Sequence, residues 1–188
     1  MLSLDPTTIS GNASDDIKRF LADPQTLLNT LMEGGCKTTF AESVVERIVV
    51  SEISVVQNAT EPSTQEARVV CGIQVADDMV NRLGGLHGGC SSLLVDLCST
   101  MAMAALQMHL SGSPTMAVSQ AMHLIFHAPA ALGEDLQIIN TSISVGERME
   151  SGKTEIWSTT RRRLLVTGIH MKMTPTLKHK PTFSDSKL

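Results

Sequence analysis

The spacing of apolar residues divides the chain into three regimes. From Ser14 to Met32 they recur at helical intervals, first as Ile17, Phe20 and Leu21, then as Leu27, Leu28, Leu31 and Met32. Ser14 can cap the first of these helices, Pro24 opens the second, and Gly34-Gly35 ends it. Residues 1–13 are polar and without period, so they are expected to be disordered. Phe40 to Arg47 predicts one more short helix. A two-residue alternation begins at Val49, with Val49, Ser51, Ile53 and Val55 on one face, and resumes at Val69, Cys71, Ile73 and Val75 beyond the turn-rich 57–65 stretch. That pattern predicts a hairpin. From Gly88 to Met108 nearly every residue is small or apolar, which predicts a helix buried on all sides. Ser111-Gly-Ser-Pro114 ends it, and four strands follow: Met116–His127, Leu136–Val145 with Ile139, Thr141, Ile143 and Val145 on one side, Glu155–Arg161, and Leu164–Met173.

Two strands, one long helix and four strands describe an α+β fold. A helix rich in Gly, Ala, Ser and Cys lets an antiparallel sheet curl closely around it. The domain so defined spans residues 45–175, preceded by an extension of short amphipathic helices (1–44) and followed by a flexible tail (176–188).

Charge singles out one residue in the helix. Asp96 is the only residue with a formal charge between Arg82 and Glu134. An unpaired buried carboxylate costs several kcal/mol, so an acid in the most apolar part of the chain has a catalytic or a structural reason to be there. Eight residues earlier, at the helix start, Gly88 offers a backbone N–H at the positive end of the helix dipole, where an oxygen that gains negative charge during a reaction is stabilised. Glycine there lets a substrate approach the backbone; Gly88 and Gly89 also suit a tight strand-to-helix turn.

Composition narrows the alternatives. A net charge of −4 without an overall basic cluster argues against nucleic acid as a partner. Asp96 in mid-span and the small residues around it argue against a membrane helix. Cys36, Cys71, Cys90 and Cys98 show no metal-binding spacing and read as small core residues. His123 and His127 stand about 13 Å apart on a strand, too far to share a metal, so they read as structural. Neither a metal nor an organic cofactor is expected. The first residues show no secretory pattern, and the terminal Ser186-Lys187-Leu188 matches the peroxisomal address, which implies an import receptor as partner and the peroxisome as destination.

The segment N-R-L-G-G-L-H-G-G-C-S-S-L-L-V-D, residues 81–96, closely resembles the signature of hotdog-fold acyl-CoA thioesterases of the phenylacetate-pathway and thioesterase-superfamily-member type. Ser119 in A-V-S-Q-A-M, the run from Phe126 to Asp135, and V-T-G-I-H-M-K from Val166 to Lys172 resemble further landmarks in the same order. The resemblance covers about residues 45–175. It implies a dimer or a tetramer whose sites lie between subunits and which hydrolyses an acyl-CoA to the free acid and CoA. By resemblance, Gly88 binds the thioester oxygen, Asn81, His87 and Gly89 shape the pocket, Asp96 of the partner subunit is the catalytic carboxylate, and Ser119 helps hold the attacking water. Asp96 can serve as nucleophile or as general base, since a thioester has a good leaving group. His87 reads equally well as a packed histidine. Arg161, Arg162 and Arg163 read first as a solvated turn; the functional alternative has them meet CoA phosphates together with Lys172. The short hairpin from Trp157 to Leu164 departs from the family's longer one and weakens that carry-over. Two other functions fit the same fold: a non-catalytic acyl-CoA binding module and a hydratase or dehydratase.

Overall fold

The long apolar segment is a 24-residue helix, α4 (Gly88–Ser111), in the computed structural model, which describes residues 6–31 and 40–175. Every residue from Leu97 to Gln107 is buried. The helix therefore has no polar face over this length, as its uniform content of small and apolar residues requires. It is long and apolar enough to cross a membrane, but 67% of its most apolar window is enclosed by the protein's own chain, which makes it a core helix here. Gly112 closes it in the left-handed region at φ 85°, donating its N–H to the Met108 carbonyl.

Around α4 curls one antiparallel sheet of β1 (Val49–Gln57), β2 (Gln65–Gln74), β3 (Val118–Phe126), β4 (Asp135–Val145), β5 (Met149–Ser158) and β6 (Arg163–Met173). The strand order is β1-β2-β4-β5-β6-β3, so β3 crosses to the far edge and pairs with β6 alone. This is the α+β arrangement that the pattern predicts. Glycines set the closeness of the wrap: a Cβ at Gly168 would lie 2.7 Å from Val95 Cγ1, and one at Gly152 would lie 3.6 Å from the Ser99 Cβ.

Several local expectations change. β5 begins at Met149 rather than Glu155, because its inward positions Glu150, Gly152 and Thr154 are buried without being apolar, which hides the strand from a hydrophobicity pattern. In β1 an extra residue between Val50 and Glu52 forms a bulge. The bulge shifts the alternation by one, so Val50 faces inward with Ile53 and Val55 while Val49 is exposed. The Ile139–Val145 side of β4 faces away from α4; the inward Asn140 is buried and satisfied by Thr154 Oγ1 at 2.7 Å and the Val69 carbonyl at 3.1 Å.

Residues 6–13 are not patternless in space. Pro6–Thr8 form a short 3-10 turn, Ser10 bridges Glu52 in parallel, and Ser10 and Ala13 donate their N–H groups to the Ser51 and Ile53 carbonyls. The Asn12 amide exchanges two further bonds with the Val55 backbone. Order here comes from backbone pairing, which needs no apolar period, and it covers the outer edge of β1. The helices α1 (Asp15–Leu21), α2 (Pro24–Leu31) and α3 (Glu42–Val45) follow. Ser14 caps α1 as expected, and Ile17, Leu21 and Leu27 join the same core as α4. Cys71 and Cys98 are buried and Cys90 half-buried, with burial the main cause that pushes the Cys90 thiol up to about 11. Gly34-Gly35, Cys36 and the tail with Ser186-Lys187-Leu188 lie outside the described residues.

The contact at Gly168 predicts that Gly168→Ala lowers stability by about 1–3 kcal/mol through overpacking against Val95. Denaturant unfolding of the two proteins measures this; an unchanged midpoint would mean that α4 can move away from the sheet.

Candidate active site

The start of α4 is fixed by hydrogen bonds of the turn and the cap. Asn81 Oδ1 accepts from the N–H groups of Leu83 at 2.9 Å and Gly85 at 3.3 Å, and the Asn81 N–H donates to the Gly85 carbonyl at 2.8 Å. Asn81 thus orders the turn ahead of α4. Leu86 and His87 then donate their N–H groups to Ala130 and Met79, each at 2.8 Å, which aims the chain into the helix. His87 is the N-cap, and its Nδ1 accepts the Gly89 N–H at 2.9 Å. A Cβ at Gly89 would come within 3.1 Å of that nitrogen, so glycine belongs to the cap. Among the described residues no acceptor meets the Gly88 N–H. Gly88 opens into a cleft walled by Leu86, Ser91, Phe126, Pro129 and Leu165, with the Phe126 ring 3.6 Å from where its Cβ would be.

A second centre lies two turns along α4. The Ser119 hydroxyl on β3 donates to Asp96 Oδ1 at 3.0 Å. His170 on β6 places its Nε2 3.0 Å from Ser119 Oγ and 3.4 Å from Asp96 Oδ1, while its Nδ1 lies 2.7 Å from Ser99 Oγ. His170 is fully buried. Burial draws its pKa down to about 4, with the Asp96 carboxylate opposing and the Lys172 ammonium adding to the effect, so the ring is neutral at pH 7. One turn further, Lys172 Nζ donates to Thr100 Oγ1 at 2.9 Å, and that hydroxyl donates to the Asp96 carbonyl at 2.7 Å. Glu150, opposite Lys172 on β5, accepts from Gln107 at 2.6 Å, and burial raises its carboxyl pKa. Asp96 is less enclosed than its apolar neighbours imply. Its side chain is 43% exposed in the single chain, because it faces the edge strand β3.

The chain does not bring Gly88 and Asp96 together. Eight residues on one helix separate them by about 12 Å. His170, Ser99, Thr100 and Glu150 are the members that sequence reasoning missed, and Lys172, expected beside the arginines, stands here instead. Their signal was the alternation of β6 itself, which puts His170 and Lys172 on the same inward face as Val166 and Gly168.

The arginine corner is more structured than a solvated turn. Arg161 donates to Glu134 Oε1 at 2.8 Å, Arg163 bonds the Pro129 carbonyl, and Arg162 occupies the tight turn at φ 52°. Burial pushes the Glu134 carboxyl up, but the bonds from Ser158 and Ala131 and the charges of Arg161 and Arg163 outweigh it and hold it below the usual range. Lys172 does not join this corner: it is buried at the opposite end of β6, about 30 Å from Arg163 along the strand. The expected joint contact of Lys172 and the arginines with CoA phosphates is therefore corrected. His127 bonds Thr167 at 3.0 Å, and no cluster of His, Cys, Asp and Glu suited to a metal occurs among the described residues.

Residues 83–170, from the glycine turn to His170, match the family model described as Thioesterase superfamily. The chain is 29% identical over 118 residues to acyl-coenzyme A thioesterase 13 of Mus musculus, covering 63% of this chain and 81% of that one. It is 30% identical over 110 residues to the Homo sapiens protein of the same name, covering 58% and 75%. The chain belongs to the thioesterase superfamily. A solved structure of zebra fish thioesterase superfamily member 2 matches this thioesterase with a TM-score of 0.58 at 25% identity, over 74% of this chain and 89% of that one. The hotdog fold expected from the signature is thereby shown. Helices α1 to α3 lie ahead of the residues that the thioesterase family model matches.

The depressed pKa of His170 sets a pH dependence of stability for this thioesterase. Between an unfolded value near 6.5 and a folded value of about 4, the unfolded state binds the extra proton, so the contribution is complete above pH 6.5 and is lost as pH falls toward 4. Melting temperatures across this window should fall with acidification, and His170→Gln should flatten the fall. An equal slope in both proteins would remove His170 as its cause.

Proposed function

We propose that this thioesterase hydrolyses an acyl-CoA to a carboxylic acid and CoA at a site shared by two copies of the chain. The observation that carries the reading is the placing of the two half-sites along one open strand. Ser119 and Asp96 lie at the start of β3, and Phe126 with Gly88 lies at its end. The β1 edge of the sheet is covered by residues 10–13, whereas β3 has no partner on its outer side among the described residues. It exposes Val118, Met122, Ile125 and Phe126. An uncovered apolar edge is a pairing surface. Antiparallel pairing of two β3 strands about a two-fold axis between Met122 and His123 sets Ser119 of one chain opposite Phe126 of the other. Asp96 then faces the partner's Gly88 over one substrate, and burial by the partner removes its remaining exposure. The names of the curated relatives support the acyl-CoA class.

In this arrangement the Gly88 N–H, reinforced by the α4 dipole, receives the carbonyl oxygen as it becomes negative. Asp96 either takes a proton from a water that attacks the carbonyl carbon or attacks that carbon itself. Ser119 orients the carboxylate and the incoming water. The C–S bond breaks and the thiolate of CoA leaves and is protonated; on the water route the acid is then free, and on the nucleophilic route a water cleaves the mixed anhydride formed with Asp96 to release the acid and restore the carboxylate. Arg162 and Arg161 meet the CoA phosphates at the mouth of the Gly88 cleft, which the Arg163–Pro129 bond places next to their turn. Delivery to peroxisomes through Ser186-Lys187-Leu188 belongs to the same proposal.

Thiol release from short, medium, long and aryl CoA esters tests the reading, with Asp96→Asn and Gly88→Pro alongside. Proline suits the first helical position and removes the N–H, with its ring packing on the Phe126 side of the cleft; His87, at φ −69° and ψ 134°, already has the conformation that a residue before proline adopts. Each variant should lose about 10²–10³ in kcat with unchanged circular dichroism. Tight binding of an ester without turnover would instead make the protein a binding module, and an intact thioester in an altered product would make it a hydratase.

A further inference from the structure

Ser99 is fully buried and lies on the far side of His170 from the reacting groups, and the proposed reaction gives it no part. The hydrogen-bond inventory around it nevertheless has a single consistent solution. An ionised Asp96 accepts and cannot donate, so the one hydroxyl proton of Ser119 lies in its 3.0 Å bond to Asp96 Oδ1. Ser119 Oγ then has only lone pairs for His170 Nε2, 3.0 Å away, and that nitrogen must carry the ring proton. Its 3.4 Å approach to Asp96 Oδ1 agrees, since a bare nitrogen facing a carboxylate would be repelled. A neutral ring has one N–H, so Nδ1 is an acceptor, and its partner at 2.7 Å must donate. That partner is Ser99. Its hydroxyl is also 3.3 Å from the Asp96 carbonyl, but the Nδ1 contact is the shorter of the two.

We propose that Ser99 is a positioning residue that fixes His170 in the Nε2–H tautomer and so keeps the Ser119 hydroxyl pointed at Asp96. The chain of donors runs in one direction, from Ser99 through His170 and Ser119 to the Asp96 carboxylate. Without the Ser99 hydroxyl, Nδ1 has no donor in a site closed to water, and the ring is free to take its proton there. Nε2 then becomes an acceptor and draws the Ser119 hydroxyl away from Asp96. The charged groups facing the ring, Asp96 and Lys172, remain the same in either tautomer. The proximity of the sheet is a precondition: Ser99 meets β5 at Gly152, where even a Cβ on the strand would lie in contact with Ser99, at 3.6 Å from its Cβ. The inference rests on the catalytic reading of Asp96 and Ser119, but its first test does not need turnover.

Long-range ¹⁵N–¹H correlation of histidine rings reads the tautomer directly, with the His170 signal among the six histidines assigned by its loss in His170→Gln. The wild type should show a protonated Nε2 and a bare Nδ1, and Ser99→Ala should gain the Nδ1–H form. Hydrolysis by Ser99→Ala should fall by about tenfold, less than the roughly 10²–10⁴ typical of losing an acid or base outright because Asp96 and Ser119 remain, and Ser99→Thr, which keeps the hydroxyl, should recover most of it. Glutamine at position 170 places a permanent N–H donor where Nε2 was, so Ser99→Ala should add no further loss to His170→Gln. An Nδ1–H ring in the wild type, full activity in Ser99→Ala, or additive losses in the double variant each overturn the inference. A wild type that hydrolyses no ester removes the catalytic reading instead, while the ring signals still decide the tautomer.

Discussion

A side chain at Gly168 would penetrate Val95, and one at Gly152 would touch Ser99; this close contact between sheet and helix is the constraint on which the molecule depends. Close packing of α4 is what makes the helix uniformly buried. It also brings hydroxyls of the helix into hydrogen-bonding range of strand side chains. Ser99 reaches His170 and Thr100 reaches Lys172 only because nothing larger intervenes. The same small residues therefore serve packing and hydrogen bonding together.

The polar groups gathered at this contact would be costly if left unpaired. They are paired almost throughout: His170 between two serines, Lys172 on a threonine with Glu150 opposite, and Glu150 on Gln107. Asp96 alone is left half open. Its carboxylate has Ser119 and His170 on one side and solvent on the other. At the other end of β3 the Gly88 N–H is left open in the same way. Two half-sites, both beside the sheet edge that is uncovered among the described residues, are the basis of the proposal that a second copy of the chain completes the site.

Much of this was legible in the sequence. The buried helix showed in an unbroken run of small and apolar residues, the sheet in period-2 alternation, and the two positions proposed for the chemistry in a glycine at a helix start and a lone acid inside an apolar run. What escaped was information carried by contacts between distant segments. The β1 bulge moved Val50 inward, and bulges leave little mark on composition. Residues 6–13 are ordered by backbone pairing with β1, to which side-chain period is blind. The inward face of β5 is polar and glycine-rich, so its first residues looked like loop. His170 and Lys172 stood on a visible face of β6, but only the crossing of β3 to the far edge places that face beneath Asp96. The pairing of Arg161 with Glu134 likewise joins residues whose proximity follows from the β4–β5–β6 order.

The central claim is that Gly88 and Asp96 act on one substrate from different chains, and mixing two inactive subunits tests it most directly. Asp96→Asn chains retain Gly88, and Gly88→Pro chains retain Asp96. In a mixed dimer one site is intact and the other lacks both groups. Random reassortment of equal amounts should restore about a quarter of the wild-type activity per subunit, since half the dimers are mixed and each has one working site. Activity that stays at the level of the separate variants after subunit exchange, shown to have occurred by differently tagged chains, would contradict the shared site.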